Sequence, residues 1–425
     1  MIRIDDRLYD EAYFDDKSTR LAAEIGLGER DTGRYAVCFA ETVDWLALFF
    51  AIRKAGASVL PIHPGTPYPA ARKLALNAGC DRLFYNSLTA EVLEGPVAST
   101  EGTLLQMSSG TTGAPKCIAR SWREIDAEIE SYVRTFREPE DMTPVVACPT
   151  THSYGLICGI LVALKRGQTP LIVNTANPKY LLKVLRETER PLLYSSPAIL
   201  NTLARLLPAG EQIHATMTSG TLLPDPWFAD IRAKSRFMFQ QYGCSESGCI
   251  AINPDVTAAG DMGFVLPHLV AATGTGVEDA GEIVVTNAAG AAIHTRDLGY
   301  RRADGMLVFV SRMDDMINVS GLNVYPKDVE DAAMAMPEVT DAVAFRKADR
   351  FAGERVALIF SAEVPMAPQA VREWLSRHLA GHQLPMEILQ VDVVPRQANG
   401  KISRRDVAAR HLAGEFNTPL KGAAS

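Results

Sequence analysis

Residues 35–62 read as strand, helix, strand, and this unit constrains the fold more than any other stretch. Tyr35-Ala36-Val37-Cys38-Phe39 is a buried-strand sequence, and residues 42–55 then place Trp45, Leu46, Leu48, Phe49 and Ile52 at helical spacing. Lys54-Ala55-Gly56 stops the helix, and residues 57–62 form a second apolar strand. A strand-helix-strand unit joins parallel strands, so the sequence predicts a parallel sheet. The pattern recurs, with strands near 145–148, 169–174 and 192–197 and helices over 123–136, 156–164, 178–189 and up to 207. The alternation is predicted to continue to about residue 310. Beyond it, 339–345 and 355–361 read as strands and 369–380 as a helix, while residues 1–34 are charged and mixed.

Composition narrows the classes of function. With 425 residues, 47% of them hydrophobic, the chain can bury a sizeable core in two or three domains. Lys and Arg number 43 against 50 Asp and Glu, the net charge is −7, and no basic face points to nucleic acid or an anionic membrane. The longest apolar run, 155–164, is about half a membrane span. The opening, Met1-Ile2-Arg3-Ile4-Asp5-Asp6-Arg7, lacks a signal-peptide pattern, so a cytoplasmic address is expected. Seven cysteines without short paired spacings indicate neither a disulfide framework nor a zinc site.

Four stretches carry chemistry. Gln106-Met107-Ser108-Ser109-Gly110-Thr111-Thr112-Gly113-Ala114-Pro115-Lys116 is a run of small and hydroxyl residues closed by a lysine, suited to wrapping a polyphosphate with N–H groups and hydroxyls. A plain surface turn is the alternative, because the P-loop spacing is not met. In Tyr242-Gly243-Cys244-Ser245-Glu246 an aromatic, a glycine and a carboxylate three residues beyond it can stack a purine and hold a divalent cation near its phosphates. His152 sits on a polar turn after an apolar strand, where a structural histidine is the competing reading. Lys401 follows Asn399-Gly400, a pair common in hairpins.

The order of these residues resembles the adenylate-forming superfamily of acyl- and aryl-CoA synthetases, nonribosomal peptide adenylation domains and luciferases. Ser108-Ser109-Gly110-Thr111-Thr112-Gly113-Ala114-Pro115-Lys116 resembles its phosphate-binding signature, and Gln241-Tyr242-Gly243-Cys244-Ser245-Glu246 a second signature, with Gln240-Gln241 similar to the aryl-acid branch. The resemblance spans roughly residues 35–410. It implies a large N-terminal domain over 1–312, an α/β fold of subdomains with mostly parallel sheets, and a small mobile C-terminal α+β domain over 313–425. It further implies that Gly220 and Thr221 line an adenine pocket, that Asp297 chelates the ribose hydroxyls, that Arg312 reaches the nucleotide and that Glu246 holds magnesium. Lys401 would enter the site for adenylation, alongside Thr111, Thr112 and Lys116, with the small domain turning about Asp314. Ser320-Gly321-Leu322 would pass the pantetheine channel. Two positions depart from the signatures: Arg296 and Ser311 stand where glycine is usual.

His152, Ser153, Gly220, Gly243 and Ser245 are carried over as the acid pocket. Amino-acid-activating members place an aspartate at the turn where this chain has Ser153, so the resemblance implies an aryl or acyl acid without an α-amine. The implied reaction uses ATP and Mg2+ to make acyl-AMP and pyrophosphate, then passes the acyl group to the pantetheine thiol of CoA or a phosphopantetheinylated carrier protein. A monomer or homodimer without nucleic acid or membrane insertion is expected. A β-amino acid substrate, an amide-forming ligase and a catalytically inactive nucleotide-binding scaffold fit the same motifs.

Overall fold

The strand-helix-strand unit forms where the sequence places it. In the computed structural model, which describes residues 1–94, 101–108, 116–174, 177–350, 353–397 and 401–417, Arg34–Cys38 pairs in parallel with both Ser58–Pro61 and Arg82–Tyr85. The helix Thr42–Lys54 crosses between the first two strands and buries Trp45, Leu46, Leu48, Phe49 and Ile52. The sheet has six strands in the order Glu91–Val92, Arg82–Tyr85, Arg34–Cys38, Ser58–Pro61, Thr103–Ser108, Lys116–Ser121. Only its two edge pairings are antiparallel. The phosphate-loop stretch falls between the last two strands, and residues 109–115 of it lie outside the described residues.

The second sheet has thirteen strands and is parallel over only part of its width. Thr143–Ala147, Leu171–Ile172, Pro191–Ser195, Ile213–Thr218 and Ser235–Cys244 pair in parallel, with helices in the crossovers. From Gly248–Asn253 to Leu307–Arg312 every pairing between strands is antiparallel. The expected alternation to residue 310 therefore ends at 244, and "mostly parallel" holds for the first sheet and the early part of the second. The physical reason is connection length: the turns after 244 are too short for a crossover helix, so the strands return as hairpins. Residues 1–34, which carry little periodicity, also contribute. Ile2–Ile4 joins the large sheet in parallel beside Leu171–Ile172, and Glu11–Glu24 is a helix capped by Asp10, whose side chain accepts from the Tyr13 N–H.

A third sheet, with Leu322–Val324, Ile317–Val319, Gly353–Ala362, Val339–Asp349 and Glu387–Gln390, carries the helices Pro326–Met334, Pro368–Leu375 and Arg404–Leu412 on separate apolar clusters. It meets the larger part through a few polar contacts. Trp227 Nε1 donates to Thr340 O at 3.3 Å, Arg205 pairs with Glu363 at 2.7 Å, and the Arg396 guanidinium lies 4.9 Å over the Trp227 ring. No helix among the described residues is long and apolar enough to cross a membrane.

One buried ion pair joins the first two sheets. Arg120, from the strand leaving the phosphate-loop stretch, meets Glu128 of the helix Trp122–Thr135 at 2.6 Å, with Glu128 wholly buried. The other Glu128 oxygen accepts the Cys249 N–H at 2.8 Å, beyond the turn that carries Glu246. Gly248 adopts φ +74° here, and a Cβ on it would strike both charged side chains. Removing one member of such a pair leaves the other charged, buried and unmatched. Glu128→Ala should therefore lower the unfolding free energy by about 3–5 kcal/mol in urea titrations, and a loss under about 1 kcal/mol would contradict this account.

Candidate active site

The expected site residues converge from five separate elements. Asp297, on Ala292–Arg301, is buried and accepts the Tyr242 hydroxyl at 2.7 Å on one oxygen. Arg312 faces it across the strand pair, with Nε 3.4 Å from the other oxygen. Burial raises the Asp297 pKa, while Tyr242, Arg312 and Lys401 act to lower it. Lys401 lies over Gly220, with Cε 3.4 Å from the point a Cβ on that glycine would occupy. That distance is ordinary contact, and it is the φ of +88° at Gly220 that suits the turn to glycine. Burial depresses the Lys401 pKa, the Arg312 cation depresses it further, and Asp297, Cys244 and Glu246 oppose the shift. Lys401, Arg312, Asp297, Glu246 and Gly220 thus share one electrostatic neighbourhood.

The turn after Thr143–Ala147 forms another wall. His152 has its pKa pushed down to about 4, first by burial and then by the Lys401 charge. It is a neutral imidazole near pH 7, so its contribution there is hydrogen bonding and shape rather than charge. Ser153 Oγ donates to Gln106 Oε1 at 2.7 Å, linking this turn to the strand that leads into the phosphate-loop stretch. Tyr154 Oη donates to Met217 O at 2.6 Å, fixing the turn to the strand before Gly220. Tyr154–Leu161 continues as a π-helix, a rare form that is frequent at functional sites.

Not every expected residue joins this cluster. Gln241 alternates with Tyr242 along its strand and points to the opposite face. Its amide accepts the Tyr132 hydroxyl at 3.0 Å and donates to Cys158 Sγ at 3.2 Å. Gly243 serves the hairpin, since a Cβ there would collide with the Gly248 carbonyl. Ser245 and Glu246 are half-buried in the turn that follows, and Thr221 is half-buried beside Gly220. Ser320, Gly321 and Leu322 form an exposed hairpin tip with Ser320 at φ +53°, joined to the site by no described contact. Ser108 pairs with Lys116 at the base of the phosphate-loop stretch; Ser109, Gly110, Thr111, Thr112 and Gly113 lie outside the described residues, as do Asn399 and Gly400.

Other residues support the cluster in roles that the sequence does not show. Gln106, the first residue of the phosphate-loop stretch, holds Ser153. Glu282 accepts the Arg296 N–H at 3.0 Å and pairs with His294 at 2.8 Å, and so holds the backbone immediately before Asp297. Arg296 adopts φ +60°, which explains why glycine is usual there, and its guanidinium grips the Asp314 carboxylate through Nε at 3.0 Å and Nη2 at 2.6 Å.

The comparisons agree with this geometry. An AMP-binding enzyme family model matches residues 94–291, and the AMP-binding enzyme C-terminal domain matches 328–401. A 3,4-dihydroxybenzoate–[aryl-carrier protein] ligase of Bacillus anthracis is 38% identical over 374 residues, 88% of this chain and 90% of the relative. A 2-succinylbenzoate–CoA ligase of Lactococcus lactis is 24% identical over 76% of this chain and 73% of its own. Among solved structures, the o-succinylbenzoate coenzyme A synthetase of Bacillus subtilis in complex with ATP and magnesium superposes with a TM-score of 0.79 at 19% identity, covering 95% of each chain. The fold and the gathered residues define a two-part nucleotide-dependent enzyme, and the chain belongs to the AMP-binding enzyme family within the adenylate-forming superfamily. It is an acid–thiol ligase.

The His152 shift gives a test by titration. The folded imidazole protonates only near pH 4 against 6.5 for a free one, so between those values the unfolded chain binds the extra proton. Stability from this residue is full above about pH 6.5 and is lost as pH falls toward 4. His152→Gln should flatten the stability profile across that window, and NMR titration should find the His152 pKa higher in Lys401→Ala than in the parent. An unmoved His152 pKa would place the two side chains apart.

Proposed function

We propose that this ligase activates an aryl acid without an α-amine, in the class of dihydroxybenzoates, and delivers it to the phosphopantetheine thiol of an aryl-carrier protein. The observation that carries this reading is Lys401 lying over Gly220 beside Asp297, Arg312 and Glu246. The share of the chain matched to the 3,4-dihydroxybenzoate ligase supports the choice of acid and acceptor.

The first half-reaction joins the acid carboxylate to the α-phosphorus of ATP, forming acyl-AMP and expelling pyrophosphate. Its barrier is lowered by positioning and by neutralising charge on the transferring group. In this reading Lys401 supplies positive charge at the reacting phosphate, and Thr111, Thr112 and Lys116 bind the polyphosphate. Asp297 receives the ribose hydroxyls, held ready by Tyr242 and Arg312. A magnesium ion would be held by Glu246 and would neutralise phosphate charge. That donor fits, because Glu246 is a half-buried carboxylate beside Lys401 and magnesium bound with a nucleotide needs only one or two carboxylates. In the second half-reaction the thiol sulfur attacks the acyl carbon and AMP leaves. We take 1–312 and 313–425 as the units that reorient about Asp314 between the two steps, with Ser320, Gly321 and Leu322 meeting the thiol arm afterwards.

Two experiments test this reading. Asp297→Ala removes a charge-assisted ribose contact, so apparent ATP affinity should fall by about 1.5–3 kcal/mol, roughly ten- to a hundredfold. Unchanged affinity in a folded variant would remove Asp297 from the nucleotide site. In ATP–pyrophosphate exchange, benzoate-type acids should exceed their α-amino counterparts by at least about a hundredfold, because the wall presents Ser153, itself bonded to Gln106, and no carboxylate for an ammonium. Robust exchange with an α-amino acid would sink the substrate assignment.

A further inference from the structure

Arg404 begins the helix Arg404–Leu412 three residues after Lys401, and its guanidinium reaches three other segments. Nη1 donates to Asp315 Oδ2 at 2.9 Å, Nη2 donates to both Glu330 oxygens at 2.8 Å, and Nε donates to the Ala344 carbonyl at 3.1 Å. Glu330 is buried on the helix Pro326–Met334 and also accepts the Ala344 N–H at 2.9 Å. Asp315 lies in the connector between the second and third sheets, directly after the residue gripped by Arg296. On the other side of Lys401, its carbonyl accepts the Gln397 N–H at 2.8 Å. The backbone that carries the lysine is thus fixed from both directions.

We infer that Arg404 is a positioning residue for Lys401, holding the lysine-bearing segment to the connector at Asp315 so that the ammonium arrives at the reacting phosphate. The inference rests on the reading of Lys401 given above. A buried guanidinium paired with Glu330 is already charge-balanced, so a second carboxylate is not needed to bury it. The second one comes from the connector. Arg404 therefore fixes the origin of the lysine relative to the segment that orients the small domain. Its planar fork presents its donors in fixed directions, so the two carboxylates and the Ala344 carbonyl are held in one geometry. A displacement of the ammonium by about 1 Å is enough to cost on the order of a hundredfold in rate.

The experiment compares Lys401→Ala, Asp315→Asn, Arg404→Gln and the double variant Lys401→Ala with Arg404→Gln. Each is assayed in pyrophosphate exchange and in thioester formation from presynthesised acyl-adenylate. Asp315→Asn keeps the Glu330 pair and carries the test if Arg404→Gln does not fold. Exchange should fall about ten- to a hundredfold in Asp315→Asn and Arg404→Gln, with thioester formation within about threefold of the parent. On the Lys401→Ala background, Arg404→Gln should add no further loss of exchange, because it acts through a side chain already gone. Equal losses in both half-reactions, or a further loss on that background, would show a structural role only and overturn the inference. Normal exchange in Asp315→Asn beside impaired exchange in Lys401→Ala would overturn it alone. Normal exchange in Lys401→Ala would overturn the reading of the lysine itself, and the inference with it.

Discussion

The pair between Arg120 and Glu128 sets the relation on which the site depends. Through it, the strand leaving the phosphate-loop stretch and the hairpin that bears Tyr242 and Glu246 are held to one another across two sheets. Both charges are buried, and the Cys249 N–H occupies a carboxylate oxygen, so the arrangement tolerates little slack. The local glycines follow from this closeness. Gly248 must leave room for the two charged side chains, and Gly243 for the opposing backbone.

The nucleotide end of the cleft shows how a carboxylate stays useful while buried. Asp297 is shielded from water, which favours its neutral form, and a hydroxyl and two cations counter that tendency. Its neighbour Arg296 extends the arrangement outward, since one short segment places a carboxylate on the inner face and a guanidinium on Asp314. The Asp314 carbonyl is meanwhile held by the Arg346 guanidinium from the third sheet. Asp314 is therefore gripped by its carboxylate from the second sheet and by its carbonyl from the third.

Most of the site was legible because its residues occur in ordered, local runs. Tyr242, Glu246, Asp297, Arg312 and Lys401 each sit in a stretch whose neighbours identify it. The strand-helix-strand pattern was equally plain where helices span crossovers of a dozen residues or more. Three-residue strands such as Ile2–Ile4 are too short to show a period, and their partners lie far along the chain. The direction of the Gln241 side chain is not legible, because a motif names a residue without saying which face of a strand it takes. The role of Arg404 is not legible, since its partners at 315 and 330 become neighbours only once the small sheet has folded. Arg296 was noticed as a departure, but its grip on Asp314 needed the backbone angle and the distance.

The π-helix Tyr154–Leu161 sets the direction in which the turn of His152 and Ser153 enters it. Its leucine and isoleucine side chains are buried in the core, while the turn it anchors presents His152 and Ser153 to the cleft. An α-helix advances about 100° per residue, so deleting one residue from this wide coil and letting it tighten would swing the turn more than a quarter of the way round the helix axis. A single codon lost from a segment of core-facing residues would then move His152 and Ser153 together without replacing either side chain.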